Sequence, residues 1–270
     1  MVGIDRTRVQ HAFDQHAGEY EAHACVQKRV ITTFAARAAA LALAPRRVLD
    51  IGSGTGLLLR ELAGLYPTAQ LIGVDLALGM NLAAQASHVD RQRVRLLTGD
   101  AERLPFRAET VDLALSTSTF QWLENLDSAF NEVHRVLRSG GIFSFALFGG
   151  KTLHELRSSY RRAWAAAGRG REERTLTFFS AAEVEEAMVR SGYSSCRVET
   201  ELEVESHPDV PALLRSIRRV GAATTAPVAS RGLSERRVML AMMELYRRDY
   251  GREGMIPATY QVIYGVGMKE

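Results

Sequence analysis

The chain has 270 residues, is 46% hydrophobic and carries a formal net charge of +3. That length supports one large domain with a lid or two small domains, and so slight a cationic excess does not by itself imply a nucleic-acid partner. Cys25 and Cys196 lie too far apart in sequence for a disulfide scaffold, the seven histidines form no H-E-x-x-H or Cys/His cluster, and no apolar run is long enough for a bilayer, so a reduced, cytoplasmic, metal-free protein is expected.

Residues 5–43 predict a helical segment ended by Pro45, with no secretory signal at its start. Tyr20 and Gln27, seven residues apart, share a face if that segment is one continuous helix. Val48–Ile51 is a short buried strand. It runs into D-I-G-S-G-T-G, where Gly52, Gly54 and Gly56 alternate after Asp50, and Leu57–Leu65 is a helix. A glycine turn between strand and helix lets a ligand approach the backbone, at the place where open parallel sheets bind nucleotides. G-x-G-x-G after an acid differs from the G-x-G-x-x-G that cradles a pyrophosphate. A carboxylate at the turn opposes phosphate and suits a nucleoside cofactor with a cationic amine, of which S-adenosylmethionine is the common one.

Strand two is Leu71–Asp75, ending on an acid placed to accept ribose hydroxyls or to cap the next helix, Met80–Ala86. Strand three, Val94–Leu97, ends in Gly99-Asp100, and strand four, Val111–Leu115, in Ser116–Thr119. An amphipathic helix, Asn125–Leu137, is closed by Ser139-Gly140-Gly141 before strand five, Ile142–Phe148. Strands alternating with helices predict a doubly wound parallel sheet with helices on both faces. The arginine-rich helix Thr152–Ala167, the charged loop Gly168–Arg174 and the helix Ala181–Ser191 come next. Cys196–Val204 is strand-like, as is Tyr260–Met268. Between these two strands lie the helices Pro208–Val220 and Ser234–Tyr250, joined by the small-residue stretch Gly221–Gly232. The expected division is a helical segment at 1–45, a cofactor-binding core at 46–150 and a C-terminal part at 151–270. A helical insert at 206–255 forms a lid over the strand ends.

D-I-G-S-G-T-G, G-V-D and G-D-A-E-R-L-P-F, with the closing strand pair, resemble the class I S-adenosylmethionine-dependent methyltransferases. That resemblance implies a Rossmann-like sheet of seven strands, mostly parallel, with the last inserted antiparallel beside the sixth. F-D-Q-H-A-G-E-Y-E-A-H-A, S-T-F-Q-W-L-E-N-L, L-F-G-G-K-T-L-H-E-L, L-L-R-S-I-R-R-V-G-A and P-A-T-Y-Q look like the malonyl-acyl-carrier-protein O-methyltransferases of biotin synthesis, in order along nearly the whole chain. The resemblance implies S-adenosylmethionine as cofactor and malonyl-acyl carrier protein, or malonyl-coenzyme A, as substrate. It places the cofactor on Asp50, Gly52, Gly54, Gly56, Asp75, Asp100 and Ala101, with Tyr20 and Gln27 over it. Gln121 and Trp122 wall the transfer site, and Tyr260 joins Tyr20 among the substrate contacts.

A carboxylate acceptor is ionised at neutral pH, so no acid–base residue is expected. Arg215, Arg218 and Arg219 stand at i, i+3, i+4 on the insert. Arg215 is expected to hold the malonyl carboxylate through its planar fork, and the other two the acidic carrier or its phosphopantetheine phosphate. The competing readings are a methyltransferase for a small free carboxylic acid or a quinone-like ring, and a non-catalytic cofactor-binding module that docks acyl carrier protein. No N-P-P-[YF] follows strand four, which disfavours a base-amino methyltransferase acting on nucleic acid.

Overall fold

A computed structural model describes residues 5–87, 92–168, 178–222 and 233–270. Its strands are β1 (Arg47–Ile51), β2 (Gln70–Asp75), β3 (Val94–Thr98), β4 (Val111–Thr117), β5 (Leu137–Phe148), β6 (Tyr193–His207) and β7 (Ile256–Lys269). They form one sheet in the order β3-β2-β1-β4-β5-β7-β6. The first five strands pair in parallel, while β7 lies antiparallel between β5 and β6. This is the seven-stranded arrangement that the motifs imply. Strand order reverses between β1 and β4, which opens a crevice at their C-terminal ends.

The alternation of apolar side chains explains the two helical layers. Val48, Ala146 and Phe148 point to one face, where they meet α3 (Cys25–Ala40), α4 (Leu57–Leu65), α7 (His154–Ala166), α9 (Val210–Arg219) and α10 (Leu233–Tyr250). Leu49, Ile51, Phe143, Phe145 and Leu147 point to the other, against α6 (Asp127–Val136) and α8 (Ala181–Arg190). Phe120, Phe130, Phe143 and Phe145 pack there with ring centroids 4.8–5.9 Å apart.

Two local expectations are corrected. The N-terminal segment is three helices, α1 (Arg6–His16), α2 (Tyr20–His23) and α3, because the chain turns at Ala17–Glu19 and breaks again at Ala24 (φ −79°, ψ 51°). Tyr20 and Gln27 therefore do not share a helix face; they belong to different helices. Ser139-Gly140-Gly141 does not close α6 but lies inside β5. The helix ends at Val136, and Leu137 is already extended and paired with Val111 of β4. Burial of Leu137 and sheet pairing outweigh the local stop signal, and the glycines form the bulge that shifts the β4–β5 register. Most of the two loop readings, 169–174 and 223–232, lies outside the described residues.

Candidate active site

The glycine turn is tied to its neighbour strand: the Gly52 and Ser53 amides donate to the Val74 carbonyl at 2.7 and 3.1 Å. Gly52, Gly54 and Gly56 have φ of +72°, +52° and +79°, a region that a side chain disfavours. A Cβ on Gly52 would lie 1.9 Å from Thr119 Oγ1, whereas one on Gly54 would meet nothing within 4 Å. The first glycine is thus needed for packing against the loop after β4. The second keeps the floor of a cleft open.

Asp75, at the end of β2, accepts from the Gly54 amide on one oxygen and from the Ala77 amide on the other, each at 2.8 Å. It braces the turn as well as facing the cleft, and it does not cap α5 (Leu78–Ala86), whose N-cap is Ala77. Burial raises its pKa to about 6, against the pull of those two amides. Asp50 lies beneath the turn, 1% exposed, and neither carboxylate oxygen has a hydrogen-bond partner. Burial first and the Asp75 charge second raise its pKa to about 8.

The cleft is open to solvent and is lined by Gly52, Gly54, Asp75 and Ala101. Asp100 itself is turned aside. Its carboxylate accepts from Arg6 and from the Glu102 amide. Arg6, which also pairs with Glu102, is a residue that sequence reasoning missed. It opens a stripe at four-residue spacing on α1: Gln10 Nε2 donates to the Leu76 carbonyl at 3.0 Å, and Asp14 accepts from the Gly79 amide at 2.7 Å. The apolar stripe beside it, Val9 and Phe13, forms the roof of the cleft. The i, i+4, i+8 pattern was the available signal.

A second, smaller chamber adjoins the cleft, and Phe13, Tyr20, Ser118 and Trp122 border both. It gathers Gln27, Gln121 and Tyr260 from three distant segments, closed by Ile217 of α9 and by Val220, which caps that helix. Ser118 has φ +56°, a backbone strain held at the junction of the two spaces. Gly221 ends α9 with φ +73°, and the Phe13 ring comes within 2.9 Å of where its Cβ would sit. The glycine of R-R-V-G-A thereby lets the insert close against α1. Arg215, Arg218 and Arg219 occupy the outer side of α9, are exposed, and border neither space. The expected reach of Arg215 to a buried acceptor is not found: α9 must turn its apolar side inward to bury Leu213, Leu214 and Ile217.

A methyltransferase-domain family model matches residues 49–145, the segment that builds the cleft. The chain is 49% identical to the malonyl-[acyl-carrier protein] O-methyltransferase of Geobacter sulfurreducens, over 98% of this chain and 100% of that one. The enzyme of the same name from Methylovorus is 34% identical over 98% and 90% of the two chains. The chain belongs to the malonyl-[acyl-carrier protein] O-methyltransferase family. Among solved structures the YcgJ protein of Bacillus subtilis shares the fold, with a TM-score of 0.60, 18% identity and coverage of 88% of this chain and 99% of that one. No group of three or more side chains that could hold a metal ion occurs among the described residues. No described helix is long and apolar enough to cross a membrane.

Proposed function

We propose that this member of the family uses S-adenosylmethionine to esterify the free carboxylate of malonyl-acyl carrier protein, or malonyl-coenzyme A, early in biotin (pimeloyl) synthesis. The observation that carries the reading is the pair of joined spaces: an acid-floored cleft that opens, past Tyr20 and Trp122, into a separate chamber. The residues present fit the cofactor. The unpartnered Asp50 carboxylate lies behind the cleft wall without bordering the cleft, where its charge would favour a cationic amine at the turn, and the open space in front of Gly54 admits the methionine part. Asp75 retains lone pairs for ribose hydroxyls, and the Gly99–Ala101 backbone edges the adenine side.

When bound, the cofactor would supply an electrophilic sulfonium methyl for transfer to an acceptor carboxylate oxygen, leaving its sulfur as a neutral thioether, a transfer that needs no proton acceptor from the chain. The chain's contribution is therefore alignment and exclusion of water. Tyr20 and Trp122 hold the junction of the two spaces, and Phe13 roofs it. On the outer side of α9, Arg218 and Arg219 face solvent where an acidic carrier would approach, and the phosphopantetheine arm would thread past α9 to the chamber.

The test is incubation with methyl-labelled cofactor and malonyl-carrier protein, malonyl-coenzyme A or free malonate. Mass spectrometry is expected to show a methyl ester on the malonyl thioester. Ester on free malonate alone would instead identify a small-acid methyltransferase, and binding without transfer a non-catalytic module.

A further inference from the structure

The chamber that receives the acceptor has no charged side chain among its described lining residues. Its polar groups are neutral. Gln121 is 2% exposed; one hydrogen of Nε2 is given to the Ser118 carbonyl at 2.7 Å, and Oε1 has no partner. The second Nε2 hydrogen is left to donate. Tyr260 is buried, its ring 5.6 Å from that of Phe148. Tyr20 stands at the junction with the cleft. Burial, with the nearby carboxylates of Asp75 and Glu21 for Tyr20 and of Glu205 and Glu155 for Tyr260, keeps both phenols protonated donors.

We propose that the acceptor carboxylate is recognised by neutral donors, the Gln121 amide and the Tyr20 and Tyr260 hydroxyls, and not by an arginine. The inference rests on the functional reading above and specifies how that site chooses its substrate. The physical reason lies in how charge changes along the reaction. The acceptor enters as an anion and leaves as a neutral ester, so its charge shrinks in the transition state. A guanidinium clamp holds the anion most tightly in the ground state and gives up that interaction as the oxygen is alkylated, which raises the barrier. Hydroxyl and amide donors orient the same oxygens and lose less. The apolar walls at Phe148, Leu153, Ile217 and Val220 strip water from the oxygen that attacks. The neutral ester then has no strong partner to retain it. A thioester without a terminal carboxylate leaves the buried Gln121 and Tyr260 donors and the half-buried Tyr20 hydroxyl unpaired, and this gives selectivity without a cation.

The test is kinetics on malonyl-carrier protein, with S-adenosylhomocysteine affinity measured by calorimetry as a check on the adjoining cleft. Tyr260→Phe and Gln121→Leu are each expected to lower kcat/KM by about ten-fold or more, the loss of one hydrogen bond to a charged group. S-adenosylhomocysteine affinity should stay within about two-fold, because neither residue borders the cleft. Gln121→Glu keeps the shape and adds a repelling charge, so it should lose more than Gln121→Leu; it also serves if Gln121→Leu does not fold. Wild-type kcat/KM in both Tyr260→Phe and the folded Gln121 variant overturns the proposal. So does a fall of about ten-fold or more in kcat for Arg215→Ala, which would mean that the insert swings that arginine inward. If the wild-type chain forms no malonyl methyl ester, the functional reading fails first and this proposal with it.

Discussion

At the scale of single residues, burial holds Asp50 and Asp75 well above the ordinary carboxylate range. Both have raised pKa values, about 8 and about 6. A carboxyl whose folded pKa lies above its unfolded 3.8 favours the protonated fold. Its contribution to stability is present below about pH 4 and is lost as pH rises to about 8 for Asp50. A cationic amine held beside Asp50 favours the ionised form instead. Affinity for S-adenosylhomocysteine should therefore rise between pH 6 and pH 8, with proton release on binding. Calorimetry in buffers of different ionisation enthalpy measures that release, and Asp50→Asn should flatten the rise. A pH-independent affinity in the wild type would contradict a role for Asp50 in amine binding. The glycines separate packing from access. Gly52→Ala drives a methyl into Thr119 and should cost about 2 kcal/mol or more in thermal unfolding. Gly54→Ala meets nothing within 4 Å, so it should cost about 1 kcal/mol of stability yet weaken cofactor binding by about ten-fold. Equal stability losses for the two would show that the turn does not discriminate between them. Asp50, Asp75 and the glycines were legible in the sequence because turn, strand end and acid lie within one short stretch. Gln121 and Tyr260 were named but could not be seen to converge, since they are 139 residues apart in number and meet only through the sheet.

At the scale of elements, the N-terminal helices act as roof and brace. α1 is anchored over the cleft by Arg6 to the loop after β3, by Gln10 to the loop after β2 and by Asp14 to the first turn of α5. The Arg6 pair with Asp100 is about one-third exposed on both sides, so it adds under about 1 kcal/mol. Arg6→Ala should leave the thermal midpoint within a few degrees but speed amide exchange across residues 6–16 several-fold, with bound S-adenosylhomocysteine restoring part of the protection. Unchanged exchange would show that Gln10, Asp14 and the apolar stripe suffice. α3 is held differently. Arg37 donates to Glu199 and Glu201, and Arg29 to Glu203, along alternate positions of β6, while the Arg37 guanidinium lies 4.2 Å over the Tyr264 ring. The alternation of β6 was readable as a strand, but its acidic side as the seat of α3 was not, because the contact spans over 160 residues. Local patterns also misled where sheet pairing intervened, as at Ser139-Gly140-Gly141. The break at Ala24 had no proline or glycine to announce it.

At the scale of the molecule, the net charge of +3 is small, and what matters is where the cations stand. Ion pairs absorb many arginines, among them Arg6, Arg29, Arg37, Arg60, Arg135 and Arg138. Arg215, Arg218 and Arg219 have no ion-pair partner among the described residues and crown the helix that closes the chamber. If an acidic carrier docks there, kcat/KM for malonyl-carrier protein should fall steeply as ionic strength rises, and the value for malonyl-coenzyme A should fall less. Arg218→Glu with Arg219→Glu should raise the KM for the carrier substrate by about ten-fold and reduce its salt dependence. Equal salt dependence for both substrates would count against a protein-docking face on α9.

The linear chain carried the floor of the cofactor cleft, though not its α1 roof or the pairing that turns Asp100 aside. A strand, an acid, a spaced glycine turn and a helix are contiguous, and their chemistry is set by backbone dihedrals and charge over a few residues. The insert was also marked, by its arginines and by R-R-V-G-A. What the chain could not carry was the side of α9 that faces inward and the identity of the groups that share a chamber. Those follow from the insertion of β7 between β5 and β6, which brings Tyr260 beside Gln121 and Tyr20. They follow too from the burial of Leu213, Leu214 and Ile217, which sends the arginines of the same helix to solvent. Hydrophobic burial acts on the helix as a whole, and it settles where a charged side chain ends up before that side chain's own chemistry can.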